Sequence, residues 1–266
     1  MNLRTLALVL AVPVLAALGT GVPSASAQVA PSVANNVPSA PAPERAATAE
    51  LATRPWEWGP FFQGGSGVTD RWGYVFTAAG VRLGKVITGP HLPGVLRGQF
   101  EYAGEILPYW QAFTPPPHHE LVTYTQNGLT YSYEAPYGGG TYTGVSITPI
   151  ILRWNLDSAR FFAPWLRRDG APHFAPWIQG AGGLIYTTHK FPPDVLVPHG
   201  TPGGTSVWNF CPQFGVGFHY FVRPQRAITF SANAVHISSA SLGDENPGVN
   251  ASVQFQVGYT WWSRRP

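Results

Sequence analysis

One cysteine and one methionine in 266 residues leave little room for sulfur chemistry. The lone thiol, Cys211, excludes an internal disulfide framework and any cysteine-built zinc cluster, and it reads as a small apolar strand residue. Charge is scarce as well: Asp, Glu, Lys and Arg make up 11% of the chain, against about 25% in ordinary soluble domains. The formal net charge of +3 is too mild and too scattered for a nucleic-acid footprint. Long apolar runs are missing too. Beyond the N-terminal stretch no segment offers 18 uninterrupted apolar residues, so any membrane crossing has to be made by strands.

Aromatics and turn formers fill the space that charge leaves. Aromatic residues reach 14% with ten Trp, and 30 Gly and 27 Pro imply many turns and few long helices. At the N-terminus, Arg4 precedes an apolar run from Leu6 to Leu18, and Ala25-Ser26-Ala27 supplies small residues for cleavage. Residues 1–27 therefore read as a secretory signal peptide. Residues 28–54, rich in Ala, Pro and Ser and without aromatics, read as a disordered leader, and 55–266 as the domain.

Eight segments in that domain read as strands: 57–68, 73–88, 94–113, 142–156, 173–188, 206–222, 226–238 and 252–262. In the last, Val253, Phe255, Val257, Tyr259 and Trp261 alternate with Ser252, Gln254, Gln256, Gly258 and Thr260. Such alternation suits a soluble sandwich or lipocalin-like barrel with apolar faces inward, and equally an outer-membrane barrel with apolar faces to lipid. Three features favour the membrane: scarce charge, an even strand count behind an export signal, and aromatics near strand ends. The last are Trp56, Trp58, Trp72, Tyr109, Trp110, Trp261 and Trp262, placed as interfacial girdles require. With both ends in the periplasm, the long connections 114–141 and 189–205 face outward and Arg223-Pro224-Gln225-Arg226 is a periplasmic turn. The short first outer loop and the long 157–172 connection fit this pattern less well.

On the seventh strand Ile228, Phe230, Ala232, Ala234, His236 and Ser238 share one face, while Val235 and Ile237 blur the polar alternation opposite. In a membrane barrel that row faces lipid, and His236 and Ser238 end it at the outer leaflet. Residues two apart on a strand have Cα atoms roughly 6.6 Å apart on the same side. Neutral His is the usual base for a Ser hydroxyl near pH 7, so the pair is competent for acyl transfer. His-x-Ser by itself is a common chance occurrence.

The stretch HISSASLGDENPGVN resembles the active-site region of the lipid A 3-O-deacylase family, eight-stranded outer-membrane barrels whose bacterial members are also called acyloxyacyl hydrolase-like. The resemblance implies His236 as base, Ser238 as nucleophile and Asn246 as an oxyanion donor, with Gly248 also matching. The family's Asn after the nucleophile is Ser239 here, which leaves backbone N–H groups of Ser239 or Ala240 as oxyanion donors. The family's acidic position is Asn250, an orienter without charge, and Asp244 or Glu245 in the loop are alternative acids. The implied activity is hydrolysis of a fatty-acyl ester of lipid A in lipopolysaccharide, within outer-membrane lipid and with no metal or organic cofactor. A homodimer stays open. So does a non-catalytic structural or adhesion barrel that keeps the scaffold, because of the two departures.

Other motifs read as structure. His118, His119 and Glu120 lack the spacing of zinc hydrolases, since Thr123 stands where a second His is needed, and read as a solvated extracellular loop. APYGGGTYTG (135–144) lacks a P-loop lysine and reads as a hairpin approach. Arg167-Arg168-Asp169 and Arg264-Arg265 read as interface anchors. His91, His173, His189, His199 and His219 show no ligand spacing.

Overall fold

A computed structural model describes residue 51 and residues 53–157, 167–168, 171–193, 206–240 and 250–263. The strands are β1 (Trp56–Gly67), β2 (Val75–Val86), β3 (Gly98–Phe113), β4 (His118–Gln126), β5 (Leu129–Tyr137), β6 (Thr141–Leu156), β7 (Arg167–Arg168), β8 (Ala171–Pro172), β9 (Phe174–Phe191), β10 (Ser206–Arg223), β11 (Arg226–His236) and β12 (Ala251–Ser263). Eight of them close an antiparallel barrel in the order β1-β12-β11-β10-β9-β6-β3-β2, so each predicted span falls on a barrel strand. The span predicted from residue 94 starts late, at Gly98, because Gly94–Leu96 winds into a 3-10 turn after Pro93.

The wall faces the opposite way from a soluble barrel. Along β12, Val253, Phe255 and Val257 are exposed while Ser252, Gln254 and Gln256 are buried inside. The same alternation holds on β11, where Thr229, Ser231 and Asn233 point inward. Glu57, Arg82, Glu101, Glu105 and Arg153 all project into the interior as well. A surface of exposed Leu, Ile, Val and Phe around a polar interior matches hydrocarbon as the outer solvent, and excludes the lipocalin-like alternative.

The lumen is filled rather than open. In the half of the barrel nearer the chain termini, Arg153 Nη1 lies 3.1 Å from Glu57 Oε1, 3.3 Å from Glu101 Oε1 and 3.2 Å from His219 Nε2. Its guanidinium carbon sits 4.1 Å from the centre of the Trp177 ring. Arg82 Nε donates to Glu105 at 2.8 Å, and Asn155 donates to Glu101 at 2.7 Å. Gly217 makes room for the indole, since a Cβ there would come within 2.4 Å of Trp177 Cζ2. Apolar clusters cap this polar belt at both ends. Phe76, Trp110, Tyr142, Phe191, Val235 and Ile237 belong to one, and Val86, Ala175, Phe221, Ala227 and Trp262 to the other.

These caps account for three departures from expectation. Val235 and Ile237 blur the alternation because the lumen has turned apolar at their height. Trp110 and Trp262 are not girdle residues: they point inward, 4% and 1% exposed, because each fills a cap. Leu51, within the stretch predicted as leader, is 1% exposed and packs in the second cap, so burial begins ahead of residue 55. The girdle itself is carried at that end by Trp58 stacked on Trp261 at 4.5 Å, with Arg226 over Trp261 and Lys85 over Trp56.

The 114–141 connection holds structure that composition alone concealed. β4 and β5 form a hairpin projecting from the barrel end opposite the chain termini, turned by Asn127 and Gly128 with φ of 52° and 80°. Positive φ at both central residues is the two-residue hairpin turn that Asn-Gly favours. At its base His118 Nε2 meets Glu120 Oε1 at 2.8 Å, and Nδ1 meets the Pro116 carbonyl at 2.9 Å. These hydrogen bonds raise the His118 pKa above its ordinary value, that to Glu120 foremost.

Two outcomes are expected. Arg153→Ala leaves Glu57 and Glu101 buried without their shared cation, which costs about 3–5 kcal/mol in urea unfolding followed by heat-modifiable gel migration; Glu57→Gln combined with Glu101→Gln in that background recovers part of it. Glu120→Gln lowers the His118 pKa, measured by NMR titration. Because the folded-state value is raised, this contact supports the hairpin below the ordinary histidine range and fades as pH rises through the elevated value.

Candidate functional site

The end of β11 brings the predicted pair to the rim of the barrel. Phe230 and Ala234 are exposed, and His236 and Ser238 continue their parity, while Val235, Ile237 and Ser239 alternate inward. His236 faces Ala251 across β12, and Ser238 bridges Phe210 on β10, exchanging backbone bonds of 2.7 and 3.0 Å. That register brings Pro212 opposite His236. Proline has no N–H to donate, so the ladder is interrupted beside the imidazole.

Ser238 sits in a tight local turn. Its Oγ accepts the Ala240 N–H at 3.1 Å, and Ala240 is left-handed with φ of 50°. A residue with a Cβ takes that conformation at a cost of roughly 1–2 kcal/mol, so the turn is held by its surroundings. The contact uses a lone pair of Oγ and leaves the hydroxyl proton out of it. It also directs the Ala240 N–H at Ser238 Oγ, so donation by that N–H to any other acceptor requires the bond to be exchanged. The Ser239 hydroxyl points the other way and is buried with the side chain 2% exposed.

Asn250 does not join the pair. It lies beside Ala251 with inward parity, 5% exposed, and its backbone carbonyl accepts the Ile237 N–H at 2.9 Å. Its Oδ1 accepts from Arg71 Nε, in the short connection between β1 and β2. Strand alternation thus sends this side chain to the opposite face from His236, and among the described residues no hydrogen bond links the imidazole to Ser238 or Asn250. Asp244, Glu245, Asn246 and Gly248 lie outside the described residues, as do Arg264, Arg265, Asp169 and His199. Arg71 was missed in the sequence, since nothing in its local pattern announces a partner 179 positions away.

Below the pair the outer face is hollowed. Ala232 lies between Val216 and Phe255, and Ala234 between Phe214 and Val253, so small floor residues are flanked by proud apolar walls. A furrow of about 890 Å³, lined by Val216, Phe218, Phe230, Ala232, Phe255 and Val257, continues down the strand. Phe230 packs against Phe218 with ring centres 5.3 Å apart.

Glu57, Glu101 and His219 bring ligand atoms within 4.8 Å of one another, a spacing that suits a metal ion. Arg153 Nη1 already contacts all three, so the cation of that cluster is a guanidinium. His219 completes it through Nδ1 and Thr229 Oγ1 at 2.8 Å.

Among solved structures, that of the outer-membrane enzyme PagL is similar over 77% of this chain and 98% of its own, at 13% identity and a TM-score of 0.37. The N-terminal barrel of Pseudomonas aeruginosa OprF matches over 76% and 99%, at 10% identity and 0.30. OprG from the same organism matches over 79% and 95%, at 9% identity and 0.34. No curated protein sequence matches the chain. A family model described as lipid A 3-O-deacylase (PagL) matches residues 98–260, from the start of β3 to near the end of the closing strand. With more than half its length matched, and the His236 and Ser238 row inside the match, this outer-membrane barrel belongs to the lipid A 3-O-deacylase (PagL) family of hydrolases.

Proposed function

We propose that this barrel removes a fatty-acyl chain from the 3-position of lipid A by a Ser238–His236 mechanism on its lipid-facing surface. The observation that carries the reading is the outward row of β11, in which an apolar furrow at Phe230 and Ala232 lies below His236 and Ser238 on the same face of the strand. A nucleophile at this height meets an ester whose acyl chain already lies in the outer leaflet, with the hairpin end of the barrel facing outside the cell.

Ser238 Oγ attacks the ester carbonyl carbon while its proton passes to the His236 imidazole. The tetrahedral oxyanion is met by donors of the 239–249 segment, with Asn246 the leading side chain and the backbone N–H groups of Ser239 and Ala240 beside it. Collapse breaks the bond to the sugar oxygen, which takes the proton from His236 and leaves as a free hydroxyl. Water, deprotonated by the same imidazole, then releases the fatty acid and restores Ser238. No metal or organic cofactor enters these steps. Asn250 Oδ1 accepts from Arg71, and Asp244 and Glu245 are the alternative acids for steadying the imidazolium.

The barrel without activity is the competing reading, favoured by the missing family carboxylate at Asn250 and the Ser239 replacement. Mass spectrometry of lipid A from cells with and without the protein decides between them. The expected result is loss of one acyl chain, abolished by Ser238→Ala and reduced about 10²–10⁴-fold by His236→Gln, with heat-modifiable migration intact in both. Lipid A left unchanged by the folded parent protein sinks the proposal. Asn246→Ala is expected to lower kcat by about 10²–10³, measured on purified protein in mixed micelles.

A further inference from the structure

A second concavity opens at the hairpin end of the barrel, and its chemistry differs from that of the furrow. It encloses about 580 Å³ and is lined by three separate connections. Arg71, Trp72 and Tyr74 come from the link between β1 and β2, His118, Glu120 and Tyr137 from the base of the hairpin, and Pro193 from the end of β9. The furrow is walled almost wholly by carbon. This cavity mixes a guanidinium, an imidazole, phenol groups and an indole that is 81% exposed.

We propose that this cavity is the subsite for the phosphorylated sugar headgroup of the glycolipid whose ester reacts at Ser238, a proposal that rests on the function given above. Trp72 and Tyr137 offer flat apolar faces for the C–H surfaces of a pyranose ring. Arg71, held by Asn250 at Nε and by Tyr74 at Nη1, contributes a fixed positive charge that suits a phosphate monoester. His118 adds a second donor whose charged form is favoured by Glu120, and Glu120, the acid in the wall, is engaged with that imidazole.

The cavity is also joined to the reacting strand. Arg71 Nε donates to Asn250 Oδ1, and the Asn250 carbonyl accepts the N–H of Ile237, the residue between His236 and Ser238. Tyr74 supports the guanidinium from below, with its hydroxyl 3.4 Å from Nη1 and its ring centre 5.5 Å from Cζ. A headgroup held on Arg71 is therefore registered against the strand that carries the nucleophile. This gives the position occupied by Asn250 a purpose in this chain: it ties the headgroup side of the rim to the acyl side.

Two measurements on the full-length protein folded in detergent micelles test the subsite. The first compares kcat/KM for bisphosphorylated lipid A with that for enzymatically dephosphorylated lipid A. Arg71→Gln is expected to collapse the preference at least tenfold, chiefly through KM, whereas Arg71→Lys keeps part of it. The second follows Trp fluorescence while the acyl-free bisphosphorylated glucosamine disaccharide is titrated into Ser238→Ala protein. Saturable quenching is expected, lost in Trp72→Phe and weakened at least tenfold by Arg71→Gln. An unchanged preference in a folded Arg71→Gln protein, or a disaccharide that does not bind, overturns the proposal. Displacement by equimolar inorganic phosphate overturns it too, since that marks a plain anion site. The titration involves no hydrolysis, so a failure of the Ser238 mechanism shows in the lipid A assay and leaves the binding result standing.

Discussion

The Arg153 guanidinium, shared among Glu57, Glu101, His219 and Trp177, is the contact around which this barrel is organised. Carboxylates inside a membrane-embedded wall have only the lumen to face, and burial there demands a cation among them. Arg153 and Arg82 meet that demand with short, multiply bonded contacts. Once the interior is polar and filled, the outer face is left to Leu, Ile, Val and Phe, and the wall becomes soluble in hydrocarbon. The chemistry assigned to His236 and Ser238 depends on that inversion, because it makes the outside of the cylinder the place where acyl chains are found.

Division of the lumen into a charged belt and two apolar caps sets the limits of the site. The cap at the hairpin end draws Val235 and Ile237 inward, which holds His236 and Ser238 outward by strand alternation alone. It also supplies the floor on which the β1–β2 connection rests, with Tyr74 in the cap and Arg71 above it. Rim and wall are thus one construction. An apolar furrow lies below the His236 and Ser238 row on the outer face, and a polar, aromatic cavity opens at the hairpin end. An amphipathic glycolipid at the leaflet boundary has the same two halves.

Much of this was legible in the chain. Period-two alternation located all eight barrel strands, since a wall between two solvents imposes it at every other residue. The short Arg223-to-Arg226 turn and the outward row of β11 were legible for the same reason. The β4–β5 hairpin was readable too, from Asn127-Gly128 between alternating segments, though it was taken for loop because its strands are exposed on both faces. Trp110 and Trp262 misled because tryptophan is equally at home in an interfacial girdle and in a packed cap. The Arg71 contact of Asn250 was not legible, because a motif fixes a position in the sequence but not which face of the strand its side chain occupies.

The amino-acid sequence by itself determined the architecture and the family, because scarce charge, strand alternation and the His236 to Asn250 stretch are all local properties. Only the tertiary structure decided what meets what: that Arg153 gathers Glu57, Glu101 and His219, that Arg71 reaches Asn250, and that three connections enclose one cavity. Closing a barrel brings together residues far apart in the chain, and the register that selects them is fixed by the whole ring of strands at once.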